Sequence, residues 1–229
     1  MPQLITKSTL TSLPEFIGTL PPTLKIPANK ENIIITDYLQ NSTITVSKGS
    51  NTTLIAFLKK GWADLQKLHF NFEGENSTLT FLAFIIGKDL EKFPFETISN
   101  HNIPHTNAYY YVRCALFDKS EVDYTGNLII KPKAQLTDSY LAHHTLMLSK
   151  HAKTRTVPCL EIEADDVKAG HAATIGRIDE DLTFYLESRG LDKNHSLELL
   201  IKAFMQTDLQ KIPSEEIRQV MAHEIEASL

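Results

Sequence analysis

The chain has 229 residues, of which 42% are hydrophobic and 22% charged, and its formal net charge at pH 7 is −5. This composition is typical of a soluble globular protein, with neither a basic stripe for nucleic acid nor a run of about 18 apolar residues for crossing a membrane. Two cysteines are too few for a disulfide framework or a four-thiolate cluster, and no long apolar stretch opens the sequence, so we expect a cytoplasmic protein.

The first thirty residues contain many prolines, which suit neither a helix nor the interior of a sheet. We therefore expect residues 1–30 to form an irregular lead-in that covers the first open end of a sheet. The prolines are Pro2, Pro14, Pro21, Pro22 and Pro27.

From Ile33 onward, short runs rich in β-branched and aromatic residues predict a series of strands. The first five cover residues 33–36, 43–46, 53–57, 68–72 and 78–84. Several runs are apolar on both faces and no Asn-Gly or Asp-Gly hairpin turn occurs, so strands covered on both sides are favoured over hairpins with one wet face. The pattern favours a parallel β-helix, with a jelly roll as the alternative.

Residues 87–108 predict a longer crossing between strands, after which the strand pattern resumes. The later predicted strands cover residues 109–117, 127–131, 145–149, 159–164 and 171–175. From Asp179, a good N-cap, the apolar spacing becomes helical, and a second and a third helical stripe follow. We therefore divide the chain into a lead-in (1–30), a β-helix core (31–178) and a C-terminal helical domain (179–229).

Phosphate-binding, dinucleotide-binding, hydrolase and zinc motifs are absent from the sequence, and what remains is a concentration of histidines. His143 and His144 are neighbours in a predicted strand and should point to opposite faces. His171 lies in a short apolar stretch between Gly170 and Gly176, where another backbone could approach closely. A neutral imidazole there could ligate iron, although a lone histidine among small apolar residues is more often a hydrogen-bonded structural residue.

Two other features near His171 have ordinary structural explanations. Cys159 is expected to be a small buried hydrophobe. Asp165 and Asp166 could hold a proton or a metal, but in a turn that ends a strand they more commonly accept hydrogen bonds from the backbone.

The run from Pro158 to Gly190 resembles the C-terminal signature of the SufB/SufD family of iron–sulfur cluster assembly proteins, and especially its SufD branch. The resemblance is specific over about residues 124–204. Its residues are Pro158, Leu160-Glu161-Ile162, Ala164-Asp165-Asp166-Val167-Lys168, His171-Ala172-Ala173-Thr174, Gly176-Arg177-Ile178-Asp179-Glu180 and Phe184-Tyr185-Leu186-Glu187-Ser188-Arg189-Gly190.

The resemblance implies a right-handed parallel β-helix followed by a small helical domain, in a scaffold subunit that is not an enzyme. Its implied partners are a SufB-like paralogue or a second copy of the chain, paired through the β-helix, and a SufC-like ABC ATPase. A transient iron–sulfur cluster would form at the paired interface on His171, with His143 as a further candidate ligand and no tightly bound cofactor. The ATPase would bind the helices, on a surface that we assign to Asp179, Tyr185, Arg189, Leu197, Leu200, Ile201, Phe204 and Met205.

The sequence also departs from the family pattern. Usual members are considerably longer, and Ala169 and Gly170 stand where the motif often has Cys and Ser, so a thiol near His171 is missing. A partner that supplies cysteine is the simpler hypothesis. The alternatives are a purely structural adaptor for the ATPase, with His171 inert, and a β-helix enzyme acting on carbohydrate or acyl groups.

Overall fold

The computed structural model describes residues 18–229, and in this range twelve strands form two parallel six-stranded sheets. The odd-numbered sheet consists, in spatial order, of β1 (Thr23–Lys25), β3 (Ser42–Val46), β5 (Gln66–Phe72), β7 (Lys92–His101), β9 (Glu121–Ile130) and β11 (Lys153–Ile162). The even-numbered sheet consists of β12 (Val167–Gly176), β10 (Thr137–Met147), β8 (Thr106–Leu116), β6 (Ser77–Gly87), β4 (Asn51–Leu58) and β2 (Glu31–Thr36). The chain changes sheet after every strand, so the predicted parallel β-helix is confirmed.

Each turn of this β-helix, which we call the coil, is one rung and contributes one strand to each sheet. A strand pairs with the strand two places later in the chain. The rungs lengthen toward the C-terminus: Ile33 pairs with Thr53, twenty residues later, whereas Asp138 pairs with Lys168, thirty residues later. Because alternate side chains of a strand point to opposite faces, every strand sends one row into the coil. These inward rows pack into one continuous apolar cluster.

Three α-helices follow the coil: α1 (Glu180–Ser188), α2 (Lys193–Gln206) and α3 (Glu215–Ser228), with a 3₁₀ turn at Leu209–Lys211. The outer face of the even-numbered sheet is also apolar, and α2 and α3 cover it. Ile34 faces the interior of the coil, whereas Ile33 and Ile35 join an outer cluster with apolar side chains of both helices. The helical members of this outer cluster are Ile201, Met205, Leu209, Ile212, Ile217, Met221 and Ile225. No helix within residues 18–229 is long and apolar enough to cross a membrane.

A buried ion pair fastens the helical layer to the coil. Arg113, on the outer face of β8, places Nε and Nη2 at 2.7 Å from Oδ2 of Asp208, which lies between α2 and the 3₁₀ turn. Both side chains are less than 10% exposed. The guanidinium also packs over the ring of Phe204, 4.7 Å from its centroid. Both charges are largely shielded from water, so Arg113 depends on Asp208, whose Oδ1 also lies 3.7 Å from Nζ of Lys211.

Strand β7 occupies residues that the sequence pattern assigned to a crossing, and this prediction was wrong. The inward row of β7 begins with Phe93 and Phe95 but continues with Thr97, Ser99 and His101, all at most 1% exposed. A strand with three polar residues among the five of its buried row does not show the apolar alternation from which strands are inferred.

The N-terminal part of the chain also differs from a purely irregular lead-in. Thr23–Lys25 forms β1, which pairs with β3, and Leu20 and Ile26 on either side of it are fully buried. Residues 1–17 of the expected lead-in lie outside the described range.

His101 is the centre of a polar group inside the coil. Its Nε2 lies 3.0 Å from Oγ of Ser99, its Nδ1 lies 2.7 Å from Oγ1 of Thr106, and its ring stacks on Phe72. Burial lowers the pKa of His101 to about 3, because a charged imidazole would lose its hydration there. The native coil therefore holds a neutral His101.

We predict that replacing Asp208 by Asn lowers the free energy of unfolding by about 3–5 kcal/mol, because the Arg113 charge stays buried without its partner. Urea titration of both proteins measures the difference. Glu224→Gln is the matched control: Glu224 pairs with Lys59 at 3.1 Å, but this pair is partly exposed. Its loss should cost at most about 1 kcal/mol. Equal effects of the two substitutions would contradict the role given to the buried pair.

We predict that the chain loses stability as the pH falls from about 6.5 toward 4. The pKa of His101 is lower in the folded state, so only the unfolded chain takes up this proton, and each pH unit should cost about 1.4 kcal/mol. The free energy of unfolding, measured by urea titration across this range, should depend less steeply on pH in His101→Gln, by the equivalent of one proton. Ser99→Ala, which removes a hydrogen-bond partner but keeps the ring, should lower stability at every pH and retain the slope. An unchanged slope in His101→Gln would refute this explanation.

Candidate functional site

The C-terminal end of the coil is open. Strands β11 and β12 are the last of their sheets, and each pairs with a neighbour on one side only. In the part of the chain that the structure describes, no further rung covers the inward rows of this last rung: Leu160, Ile162 and Ile175 are 37%, 42% and 55% exposed. Pro158 fits β11 because an edge strand can spare a backbone donor. This end therefore combines unpaired backbone with exposed apolar side chains.

His171 belongs to the inward row of β12. It aligns with Leu141 of β10, a buried residue of the coil interior, and its side chain is nevertheless exposed because β12 is the last strand. Among residues 18–229, no hydrogen bond or ion pair engages its imidazole. The imidazole of His171 is thus exposed at the open end and available to bind another group.

Gly170, next to His171, and Gly176, five residues later, both lie on the outer row of β12. A Cβ atom added to Gly170 would meet only the ring of Tyr140, at 3.6 Å, and one added to Gly176 would meet nothing within 4 Å. Within residues 18–229, packing on the outer face therefore leaves room for a side chain at both positions.

His143, the second candidate ligand, lies one rung further inside and is fully buried. It aligns with Ala173, so it shares the inward face with His171 at a position two residues along. Its Nε2 lies 3.5 Å from both Sγ of Cys114 and Oγ1 of Thr145, and burial, with His144 nearby, lowers its pKa to about 4. A metal ion or partner could reach His143 only if the last rung opened, so His143 is not part of the exposed site.

The other histidines do not join His171. His144 points to the outer face, as its position next to His143 predicts, and its Nδ1 lies 2.7 Å from Oγ1 of Thr174. His151 is exposed in the turn before β11. Nowhere in residues 18–229 do three His, Cys, Asp or Glu side chains converge as a metal site.

One of the two cysteines is placed differently from the sequence expectation. Cys159, predicted to be buried, is exposed, because it lies on the outer row of β11 between inward-facing Pro158 and Leu160. Cys114, which the sequence analysis did not single out, is buried beside His143, and burial raises the pKa of its thiol to about 12. Neither thiol shares the position of His171: one lies on the outer row of the other sheet, and the other is sealed in the coil.

The Asp165–Asp166 pair lies exposed at the corner that leads into β12. The hydrogen bonds at this corner use the backbone of Asp166: its N–H donates to Oε1 of Gln135, and its carbonyl accepts from the N–H of Leu136. The expected hydrogen bonding to the aspartate side chains is replaced here by the side chain of Gln135.

The helical surface proposed for a partner divides into a free and a buried part. Ile201 and Met205 are 7% and 0% exposed, and Phe204 packs against the same outer cluster, because their stripe covers the even-numbered sheet. The resemblance had assigned these three residues to the partner surface. Burial removes Ile201 and Met205 from it, whereas Phe204 is half-buried. The free part is centred on α1: Asp179, Tyr185 and Arg189 are exposed, while Leu197 and Leu200 of α2 are half-buried.

α1 exposes most of its apolar residues. Phe184 is 72% exposed, Tyr185 52% and Leu182 50%. The guanidinium of Arg189 lies 5.2 Å from the ring centroid of Tyr185. A cleft of about 670 Å³ separates α1 and α2 from a corner of the coil. It is lined by Phe117, Met147 and Leu148 of the coil and by Thr183, Phe184 and Leu197 of the helices.

Residues 35–204 match the family model described as "SUF system FeS cluster assembly, SufBD core domain". This match covers most of the coil, together with α1 and nearly all of α2.

Several curated proteins are similar to the chain. The iron–sulfur cluster assembly protein SufD of Escherichia coli is 33% identical over 146 residues, which are 64% of this chain and 34% of that protein. A SufBD family protein of Synechocystis is 30% identical over 178 residues, 77% of this chain and 39% of that protein. SufD of Bacillus subtilis is 28% identical over 156 residues, 68% of this chain and 36% of that protein. The chain therefore spans somewhat more than a third of the length of these relatives.

Proposed function

This chain belongs to the SufB/SufD family of iron–sulfur cluster assembly proteins, and we propose that it is a SufD-like scaffold subunit on which a cluster is assembled as cargo. The observation that carries the proposal is the exposed, uncommitted imidazole of His171 at the open end of the coil. A neutral imidazole is a good ligand for iron, and here it needs no rearrangement of the chain to become available.

The thiolate ligands of such a cluster come, in this proposal, from a partner. Clusters are held mainly by cysteine thiolates. Cys114 is sealed in the coil with its thiol pKa raised to about 12, and Cys159 lies on the outer row of the other sheet. A SufB-like paralogue that contributes cysteine at the open end complements what this chain offers, and a second copy of the chain would bring no better-placed thiol.

The open end is suited to this partner. The free sides of β11 and β12 can accept strands through main-chain hydrogen bonds, and the exposed Leu160, Ile162 and Ile175 provide apolar area. The same contact would exclude water around His171, which strengthens the bonds of a metal ion to its ligands.

The SufC-like ATPase is proposed to bind the free surface of α1. Phe184, Tyr185 and Leu182 supply exposed aromatic and apolar side chains, and Asp179 and Arg189 supply charges at the two ends of the helix. Aromatic residues and arginine carry most of the binding energy in typical interfaces.

A purely structural adaptor is the second candidate. It is favoured by one observation, that no three ligand side chains converge within residues 18–229. In this alternative the open end and α1 hold partners together, while His171 has no chemical role.

We predict that His171→Ala lowers cluster assembly by ~10-fold or more, because the substitution removes a ligand but no packing. The chain is purified with its SufB-like and SufC-like partners, supplied with iron and sulfide, and followed by cluster absorbance, with size-exclusion chromatography confirming an intact complex. His151→Ala is the matched control, since this histidine is also exposed but lies in a turn. Normal assembly in an intact His171→Ala complex would select the adaptor.

We predict that Tyr185→Asp weakens binding of the ATPase by about 2 kcal/mol or more, as expected for a central aromatic anchor. Titration calorimetry of the purified subunits measures the affinity. Because Tyr185 is half exposed, circular dichroism should show an unchanged fold. Ile201→Asp, at a buried position of α2, should instead unfold the helical layer. Full affinity in Tyr185→Asp would place the ATPase elsewhere.

A further inference from the structure

A thiol and an imidazole meet inside the coil, beneath the open end. Sγ of Cys114, on β8, lies 3.5 Å from Nε2 of His143, on β10, and both side chains are fully buried. The register of the two strands brings them together, since Cys114 aligns with Thr145, two residues along the inward row from His143. Neither group is used by the proposed cluster site, which lies at His171.

The imidazole of His143 has poor hydrogen-bond partners for a buried group. Its Nε2 contacts Sγ of Cys114, a weak donor, and Oγ1 of Thr145 at 3.5 Å, which is long for a hydrogen bond. Within residues 18–229, its Nδ1 has no hydrogen-bond partner. Buried polar atoms are nearly always satisfied in native proteins, and a bound ion is one arrangement that accounts for an exception.

The electrostatics of the coil interior select the kind of ion. Burial raises the pKa of Cys114 to about 12, because a bare thiolate would lose its hydration, and a bound cation removes this penalty. A thiolate and a monovalent ion are together neutral, whereas a divalent ion would leave a net positive charge in an apolar interior. Among residues 18–229, no third His, Cys, Asp or Glu converges here to compensate that charge.

Coordination preferences agree with this charge balance. Zn²⁺ in structural sites is held by four ligands, and this pair supplies two. Cysteine thiolates favour soft ions such as Cu(I), and imidazole also binds copper. We infer that Cys114 and His143 form a site for a soft monovalent metal ion, Cu(I), which binds between Sγ and Nε2 while the thiol proton is released to solvent. The site is distinct from His171 and does not rest on the proposed function.

The ion reaches this site through the last rung. His143 aligns with Ala173 of β12, so its neighbour in the inward row of that rung is a methyl group. β12 is hydrogen-bonded on one side only, to β10, and an edge strand can open locally without unfolding of the whole chain. Uptake should therefore be slower than binding to an exposed thiol.

The test measures Cu(I) binding to the full chain without oxygen. Every protein carries Cys159→Ser, because the exposed thiol of Cys159 also binds soft metals. Cu(I) is supplied as its coloured bicinchoninate complex, and loss of colour reports transfer to the chain. We predict that the Cys159→Ser chain takes up one equivalent, and that adding Cys114→Ser or His143→Gln weakens binding about a hundredfold or more. His171→Ala is the matched control and should bind as the parent does.

Two further measurements keep the test decisive if a core substitution unfolds the chain, which circular dichroism would show. X-ray absorption at the copper edge of the loaded Cys159→Ser chain should show two-coordinate Cu(I) with one sulfur and one nitrogen neighbour. One equivalent of Cu(I) should also protect Cys114 from alkylation, measured by mass spectrometry, whereas Zn(II) should not.

Three results would each overturn the site. They are equal Cu(I) affinity in folded Cys114→Ser and its parent, an absorption spectrum without a sulfur neighbour, and alkylation of Cys114 that Cu(I) does not slow. Any of them would assign the bound copper to exposed histidines on the surface. Protection by Zn(II) as strong as that by Cu(I) would refute the selection of the ion by charge.

Discussion

The even-numbered sheet has two apolar faces, and the rest of the structure follows from the need to cover both. One face closes the coil, and the other would be exposed to water without α2 and α3. At about 25 cal/mol per Å² of buried apolar surface, this second layer is a major part of the stability of the chain. The apolar faces of α2 and α3 pack against the sheet. The exposed apolar surface of the helical segment therefore lies mainly on α1.

The coil could be predicted from the sequence because its constraint is local. Runs such as Ile33-Ile34-Ile35, apolar on both sides, indicate a strand between two covers, and the absence of hairpin turns indicates crossovers. β7 was missed because the interior of the coil accepts Thr97, Ser99 and His101 when they bond to one another or to polar neighbours such as Thr106 and Tyr124. An apolar helical stripe likewise shows that one face is buried but not against what. Ile201 and Met205 were therefore assigned to a partner when they cover the chain's own sheet.

The sequence predicts on which face of its strand His171 lies, but not whether that face is covered. The strand pattern around His171 places it on one face with Ala173 and Ile175, but exposure depends on whether another rung follows, which no local pattern records. His143 lies on the same face one rung earlier and is buried for this reason alone. The wrong prediction for Cys159 has a similar origin: Cys159 alternates to the outer row of an edge strand, whereas Cys114 falls on an inward row between strands that cover it.

The rungs lengthen from twenty to thirty residues toward the C-terminus. Within residues 18–229, the C-terminal end combines unpaired strand backbone with exposed apolar side chains. A bare parallel edge is a template for any extended segment that meets it. A copy of this chain with this edge uncovered would therefore be prone to pair with other exposed strands and to aggregate.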